Sequence, residues 1–368
     1  MSGFELPPYP YDRLDGLKAK AETLPGGCVD LSIGTPCDPP PDAVIEALSH
    51  SGAERGYPPS IGTPGFRESA AHWLQRRVGV DISPDLLAAC IGTKEFVASA
   101  PGYLRLLRPD KDTVLYPEIS YPSYEMGASL AGCRAVPVPV DKAWRIDLDR
   151  VDPADADRAL CLWVNTPGNP AGGLDDLAQA ASWGRARGIP VLSDECYVEY
   201  TWEGPKHSIL EHGTDGLLAI QSLSKRSNMA GVRAGFYAGD GELVHFLREV
   251  RKHAGMMMPG PVAAAAIAAF DDDAHVEIQR DRYWARLELG QRLLARFDLE
   301  VDLPAGGFYL WVRVPDGNAW ALTERLATEL GMLVAPGEFY GTAGAGHVRV
   351  AMVAPDDRMA LVAERAGL

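Results

Sequence analysis

From about residue 86 the sequence alternates short, almost unbroken apolar runs with amphipathic segments of helix length, and this rhythm constrains the fold more than any other feature. The runs read LLAACI, TVLYP, RAVPVPV, ALCLWV, IPVLS and GLLAIQSL, and helix-like segments fill residues 94–107, 122–131 and 174–187. A strand that is apolar throughout needs cover on both faces, and helical crossovers join parallel neighbours. An α/β fold follows, with a mainly parallel sheet flanked by helices. After about residue 268 the pattern changes to a long amphipathic helix over 275–296, the run GGFYLWVRV, a helix around 320–330, the run HVRVAMV and a last helix from Asp356. That order predicts a smaller α+β domain. The expected divisions are 1–42 as an N-terminal arm with part of the small domain, 43–267 as the large domain and 268–368 as the small C-terminal domain. The proline-rich stretches ELPPYPYDRL and GTPCDPPPDAV predict an extended arm.

A chain of 368 residues is long enough for two packed domains. No stretch approaches the ~20 apolar residues of a membrane span, and MSGFELPPYPYDRL has neither the basic nor the apolar region of a secretory signal, so a cytoplasmic protein is expected. The net charge of −15 opposes a nucleic-acid surface, and an anionic ligand then needs a local cationic site. Six cysteines lie scattered, with no C-x-x-C pair and no histidine at zinc spacing; free thiols and no metal site are expected.

Ligands of such sheets gather outside the carboxyl ends of the strands, and four motifs fall there. WVNTPGNPAGG can present the Asn169 amide, though it also reads as a well-bonded turn. IPVLSDECYVEY leaves Asp194 at the end of an apolar run, either as a helix cap or as a buried acid that needs a cation such as a protonated ring nitrogen, with Tyr197 three residues on. In IGTKEF, Gly92 opens a helix whose first N–H groups, around Thr93 and Lys94, suit a phosphate. QSLSKRSNMAGVRAGF sets Ser222 and Ser224 before Lys225, and Arg233 eight positions after it. Two hydroxyls and a guanidinium fork match a phosphate dianion, and a lysine held beside that phosphate can condense with an aldehyde. Each motif alone has an ordinary structural explanation. Together, in this order, they describe a site for pyridoxal phosphate: an amine for the aldehyde, an acid for the ring nitrogen, an amide and a phenol for the ring hydroxyl, and a cup for the phosphate.

In these motifs the chain resembles the class I/II aminotransferases, fold type I pyridoxal-phosphate enzymes, over essentially its whole length; their S-x-S-K-x(7)-R pattern stands at Ser222, Ser224, Lys225 and Arg233. The resemblance implies a seven-stranded sheet in the large domain, Lys225 as the cofactor-bound lysine, Asp194 on the ring nitrogen, Asn169 and Tyr197 on the ring oxygen, and Thr93 and Lys94 on the phosphate. It makes Lys225, Asp194 and Tyr197 the catalytic set. It also implies that Tyr121, in PEISYPSYEMG, stacks on the ring. Tyr57, in ERGYPPSIGTPGFRE, is then the residue that reaches the phosphate of a neighbouring subunit, which implies a homodimer with shared active sites. Arg349, in HVRVAMV, is implied to grip the substrate α-carboxylate, with Gly34, in SIGTPCDPP, closing over it through its backbone.

Within the family, YPPSIGTPGFR, IGTKEFVASAPGYLRL and YPEISYPSYEMGASLAG are most similar to the N-succinyldiaminopimelate aminotransferases of lysine biosynthesis. That similarity implies amino transfer between glutamate and N-succinyl-2-amino-6-oxopimelate. Transfer to aspartate-type, aromatic or N-acetylornithine-type substrates, and β-elimination, would use the same cofactor residues. A non-enzymatic regulator on this fold would need an added DNA-binding domain, for which the early strand–helix motifs leave no room. A substrate with three carboxylates needs a second cation, and Arg67, Lys94 and Arg226 are the candidates.

Overall fold

All six apolar runs become strands of one sheet in the computed structural model, which describes residues 9–368. A seventh strand, Gly235–Gly239, completes the sheet; two of its five residues are glycine, which hid it from the apolar pattern. Across the sheet the order is Leu87–Cys90, Gly235–Gly239, Leu217–Ser222, Val191–Asp194, Ala159–Asn165, Thr113–Pro117, Arg134–Val138. Only Gly235–Gly239 runs antiparallel to its neighbours. The α/β expectation of a mainly parallel, seven-stranded sheet therefore holds.

Side-chain alternation along the strands builds two cores, one on each face of the sheet. Leu217, Ala219, Phe236 and Ala238 join Phe66, Trp73 and Phe270 on one face, while Leu218, Ile220 and Tyr237 join Phe96, Tyr124 and Trp163 on the other. Each large apolar side chain so buried contributes roughly 1.5–3 kcal/mol.

The register sets what meets at the carboxyl edge. Asn165 lies opposite Asp194, Asp194 opposite Ile220, and Ser222 and Cys90 both lie opposite Gly235. Four strand ends thus reach one edge with Cys90, Asn165, Asp194 and Ser222. A Cβ on Gly235 would come within 2.7 Å of the Gln221 carbonyl and 3.3 Å of the Thr93 methyl, so this crowded crossing needs glycine.

The chain packs as two units. The larger holds Thr35–Arg282 and Pro304–Gly307; the smaller holds the described residues up to Gly34, Tyr283–Leu303 and Phe308–Leu368. In the larger unit the alanine-rich helix Gly260–Asp271 packs against the helices Asp42–His50 and Pro64–Val78. The division expected at residues 267/268 falls inside that helix, whose alanine face is covered along its length by the larger unit.

The smaller unit contains the antiparallel strands Ala335–Pro336, His347–Ala351 and Tyr309–Arg313 and the parallel pair Val29–Asp30 with Met332–Leu333. Its beginning departs from the extended arm that the prolines predict. Pro10–Leu14 is a 3-10 turn and Asp15–Ala21 an α-helix, with Asp15 in the first turn and Lys18 and Lys20 in the last, charges that suit the helix dipole. The stretch ELPPYPYDRL lies partly outside the described residues. All six cysteines are free thiols, and no helix among the described residues is long and apolar enough to cross a membrane.

Candidate active site

The helix Thr93–Leu107 starts at the carboxyl edge with Gly92, at φ +70°, and no side chain caps its first N–H groups. A Cβ on Gly92 would lie 2.3 Å from Arg233 Nη2, so the guanidinium rests directly against this turn. Arg233 itself has φ +63° and is held by a 2.8 Å bond from Nη1 to the Ala230 carbonyl. An acid in the first turn of the helix, Glu95, accepts from the Ile91 N–H at 2.8 Å and pairs with Arg251 at 2.6 and 2.9 Å. That pairing offsets the one charge that would repel an anion at the helix start. Ser222 accepts from the Ser224 N–H at 3.1 Å to cap the short helix Leu223–Arg226, and both serines are buried. Lys94 shares the helix start, but its side chain is exposed.

Asp194 sits at the neighbouring strand end, 6 % exposed. Tyr124 Oη donates to its Oδ2 at 2.8 Å and the Cys196 N–H to its Oδ1 at 3.2 Å. Burial pushes the Asp194 carboxyl above the usual range; bonds from Cys196 and Tyr124 and the charge of Lys225 act against that rise and do not overcome it. Cys196 Sγ also reaches Thr93 Oγ1 at 3.3 Å, tying the turn after Asp194 to the helix start.

Asn165 fixes the adjacent turn. Its Nδ2 donates to the Asp194 carbonyl at 2.9 Å and its Oδ1 accepts from the Asn169 N–H at 2.8 Å, which locks Asn169, 6 % exposed, at the sheet edge. The peptides before Pro167 and Pro170 are cis. Asp175 braces the same turn by accepting from the Ile146 and Asn165 N–H groups. Although the residue keeps some accessible surface, its carboxyl is enclosed by main chain, and burial raises it to about 7.

Lys225 follows the strand Leu217–Ser222 on the helix Leu223–Arg226 and is partly accessible. Tyr200 Oη donates to the Lys225 carbonyl at 2.9 Å and the Arg226 carbonyl at 3.3 Å. Arg226 is not available to a substrate: it is buried, pairs with Glu199 at 3.3 Å and Asp273 at 2.9 Å, and donates to the Ala269 carbonyl. Arg67 is likewise engaged, with Pro84 O and Asp85 at 2.9 Å.

The structure thus gathers Thr93, Asn169, Asp194, Ser222, Ser224, Lys225 and Arg233 on one edge of the sheet. Tyr197, 6 % exposed, leads the 3-10 turn Val198–Tyr200 just beyond Asp194. Tyr121 stands edge-on to Tyr124, ring centroids 6.0 Å apart. Tyr57 stays outside this cluster and is 97 % exposed. No local motif marks Tyr124, Asn165, Asp175 or Cys196 as part of the site; Tyr124 and Asn165 reach Asp194 across 70 and 29 residues.

Within the smaller unit Arg349, 3 % exposed, donates from Nη2 to the Ser32 carbonyl at 2.6 Å. Its guanidinium lies over the rings of Tyr309 and Tyr340, at 4.3 and 4.5 Å, and Tyr340 Oη and Tyr11 Oη are 2.7 Å apart. A Cβ on Gly34 would fall 2.1 Å from Tyr309 Oη, so the backbone passes directly against this aromatic box.

A buried acid made costly by its surroundings fits a cationic ring nitrogen, and the turn of Gly92 with Arg233 and two serines fits a phosphate; with Lys225 on the short helix at the same edge of a doubly wound sheet, close enough for its charge to act on Asp194, they define a fold type I pyridoxal-phosphate enzyme. The chain belongs to the aminotransferase class I and II family, whose model matches residues 27–365, and that family depends on pyridoxal phosphate. It is 42% identical over 98% of its length to the 4-dedimethylamino-4-oxo-anhydrotetracycline transaminase OxyQ of Streptomyces rimosus, covering 99% of that protein. It is 33% identical to the LL-diaminopimelate aminotransferase of Aquifex aeolicus, over 98% of this chain and 96% of that one. The solved structure of a probable N-succinyldiaminopimelate aminotransferase from Thermus thermophilus is similar at a TM-score of 0.86 and 31% identity, over 97% of this chain and 98% of that one.

Proposed function

We propose that this aminotransferase exchanges the amino group of glutamate with an oxo acid of the diaminopimelate type, N-succinyl-2-amino-6-oxopimelate being the first candidate. The observation that carries the reading is the buried Arg349 guanidinium, set between two tyrosine rings and a backbone carbonyl, a planar fork suited to an α-carboxylate. The similarity to diaminopimelate and N-succinyldiaminopimelate aminotransferases supports the substrate class.

Pyridoxal phosphate, when bound, supplies an aldehyde that takes up the amino group and a cationic ring that accepts charge from the substrate's Cα. Lys225 would hold it through the aldehyde and, once released, its Nζ takes the proton from Cα of the amino donor and, in the reverse half, delivers a proton to Cα of the amino acid formed from the oxo acid. Asp194 keeps the ring nitrogen protonated, while Asn169 and Tyr197 bond the ring oxygen and Tyr121 covers the ring face. Thr93 and Lys94 at the helix start, with Ser222, Ser224 and Arg233, hold the phosphate. Arg349 orients the substrate, with Gly34 giving its carboxylate room. Tyr57 completes the phosphate site of a second copy, so the working unit is a homodimer, and the enzyme is cytoplasmic.

Borohydride treatment followed by peptide mass spectrometry should place a cofactor adduct on Lys225, and a panel of oxo acids should return the aminated protein to its aldehyde form. If N-succinyl-2-amino-6-oxopimelate fails where other oxo acids succeed, the substrate assignment is wrong and the aminotransferase stands. A second reading has its own support: the relative that is 42% identical is a transaminase of an oxo-anhydrotetracycline, so that ketone belongs in the panel.

A further inference from the structure

Tyr124 is wholly buried and has contacts in three directions. Its ring stacks on Trp163, centroids 5.1 Å apart and planes 25° from parallel; its edge meets Tyr121 at 6.0 Å and 86°; its hydroxyl reaches Asp194 Oδ2 at 2.8 Å. The ring packing is what any aromatic in a core would do. The hydroxyl is different, because it is aimed at Asp194, the buried acid that ends its strand at the sheet edge.

A carboxylate turns easily about its last side-chain torsion, which has no sharp rotamer wells. Asp194 is held against turning by a donor on each oxygen, the Cys196 N–H on Oδ1 and Tyr124 Oη on Oδ2, with the Cys196 thiol as a further, weaker partner. The first is backbone and belongs to the strand end. The second is a side-chain contact from a distant part of the sequence, and it comes from the turn that also presents Tyr121, since the Tyr124 N–H bonds the Tyr121 carbonyl at 3.2 Å. Burial keeps the Tyr124 phenol protonated, so it donates to Asp194 and leaves the remaining lone pairs of the carboxylate for another N–H.

We propose that Tyr124 is a positioning residue for the cofactor: its hydroxyl fixes the plane of the Asp194 carboxylate toward the ring nitrogen, and its ring edge sets the tilt of Tyr121. The inference rests on the pyridoxal-phosphate reading of Lys225 and Asp194. Its consequence is that one side chain outside the cofactor's own contacts acts on both the acid at the ring nitrogen, through its hydroxyl, and the aromatic at the ring face, through its ring.

The test is Tyr124→Phe, which keeps the ring and removes the hydroxyl. Stripped of cofactor and titrated with pyridoxal phosphate, the variant should bind it about ten- to a hundredfold more weakly, the loss typical of a buried bond to a charged acceptor. The absorption band of the bound cofactor should shift, and kcat should fall while the KM for the amino donor holds. In an Asp194→Asn background the same substitution should change cofactor affinity little, since the charged acceptor is gone. A merely structural Tyr124 would lower thermal stability and leave affinity and absorption band as in the wild type, and that result overturns the proposal. Should Tyr124→Phe not fold, 3-fluorotyrosine at position 124 keeps the shape and strengthens the donor; unchanged affinity and spectrum there would equally overturn it. The underlying reading fails separately, and earlier, if wild-type protein gives no cofactor adduct on Lys225.

Discussion

Asp194 and Glu199 are carboxylates on the same strand end and the turn after it, 6 % and 2 % exposed, and the fold treats them in opposite ways. Glu199 receives the Trp73 indole N–H at 2.8 Å, Lys206 at 2.6 Å, Arg77 at 2.9 Å and Arg226 at 3.3 Å. Burial alone would raise it, but Arg226, Arg77 and Lys206 prevail and hold it down at about 2. Asp194 meets a phenol, an amide and the charge of Lys225, and burial still prevails. The acid that holds the fold together is given its cations by the chain. The acid that faces the sheet edge is left to be stabilised further by what binds there, an arrangement common at functional sites.

Removing each charge separates the two roles. Asp194→Asn should lower kcat/KM by about 10³-fold, roughly 4 kcal/mol of barrier, because an oriented charge partner is lost from a dry site. The same change should leave the cofactor-free protein as stable as before or slightly more so, since a buried charge is relieved. Steady-state rates and urea unfolding of the stripped protein read the two effects, and a clear loss of stability would mean that Asp194 is structural after all.

Glu199→Gln should do the reverse. It strands Arg226 and Arg77 without their carboxylate, and breaking a buried pair from one side costs about 3 kcal/mol or more. Activity per folded molecule should stay within a few-fold, a result that equal loss of rate and stability would contradict. Because Arg226 follows Lys225 directly, this variant also measures how far the ion network holds the lysine in place.

The pH dependence of stability carries the same contrast. For Glu199 the folded value is depressed, so its contribution is complete above the ordinary 4.5 and is lost as pH falls toward about 2, on the order of 3 kcal/mol in all. Asp175 and Glu195 are each raised to about 7 by burial, so what they contribute is complete below their ordinary values and is lost as pH rises toward about 7. Urea midpoints of the cofactor-free protein should therefore fall on both sides of a maximum near the ordinary carboxyl range. Glu199→Gln should flatten the acid side and leave the other side unchanged.

Local pattern made Asp194, Lys225, Ser222, Ser224 and Arg233 legible, because strand ends and the spacing of 222–233 are written in consecutive residues. Pattern also located six of the seven sheet strands by their unbroken apolar runs; Gly235–Gly239 escaped because glycine is there for close approach and carries no hydrophobic signal. Partners chosen across the fold were not legible. Trp73 meets Glu199 across 126 residues, Arg251 meets Glu95 across 156 and Tyr124 meets Asp194 across 70, and nothing near either residue announces the other. Arg226 looked available for a substrate because it adjoins Lys225; only the packing of the helix Gly260–Asp271, which brings the Ala269 carbonyl to it, shows that it is occupied.

Two of the buried arginines, Arg226 and Arg349, extend the comparison to its smallest expected effect. Arg226 pairs with Glu199 and Asp273, whereas Arg349 lies between the Tyr309 and Tyr340 rings and donates to a carbonyl. A lysine at 349 keeps the charge but loses the planar fork and the stacking on both rings, which together are worth about 1–2 kcal/mol. Arg349→Lys should accordingly raise KM for the oxo acid by about five- to thirtyfold, with kcat changed less. If KM for amino and oxo acids stays the same, the substrate carboxylate docks elsewhere, and the aromatic box around Arg349 serves the stability of the smaller unit instead.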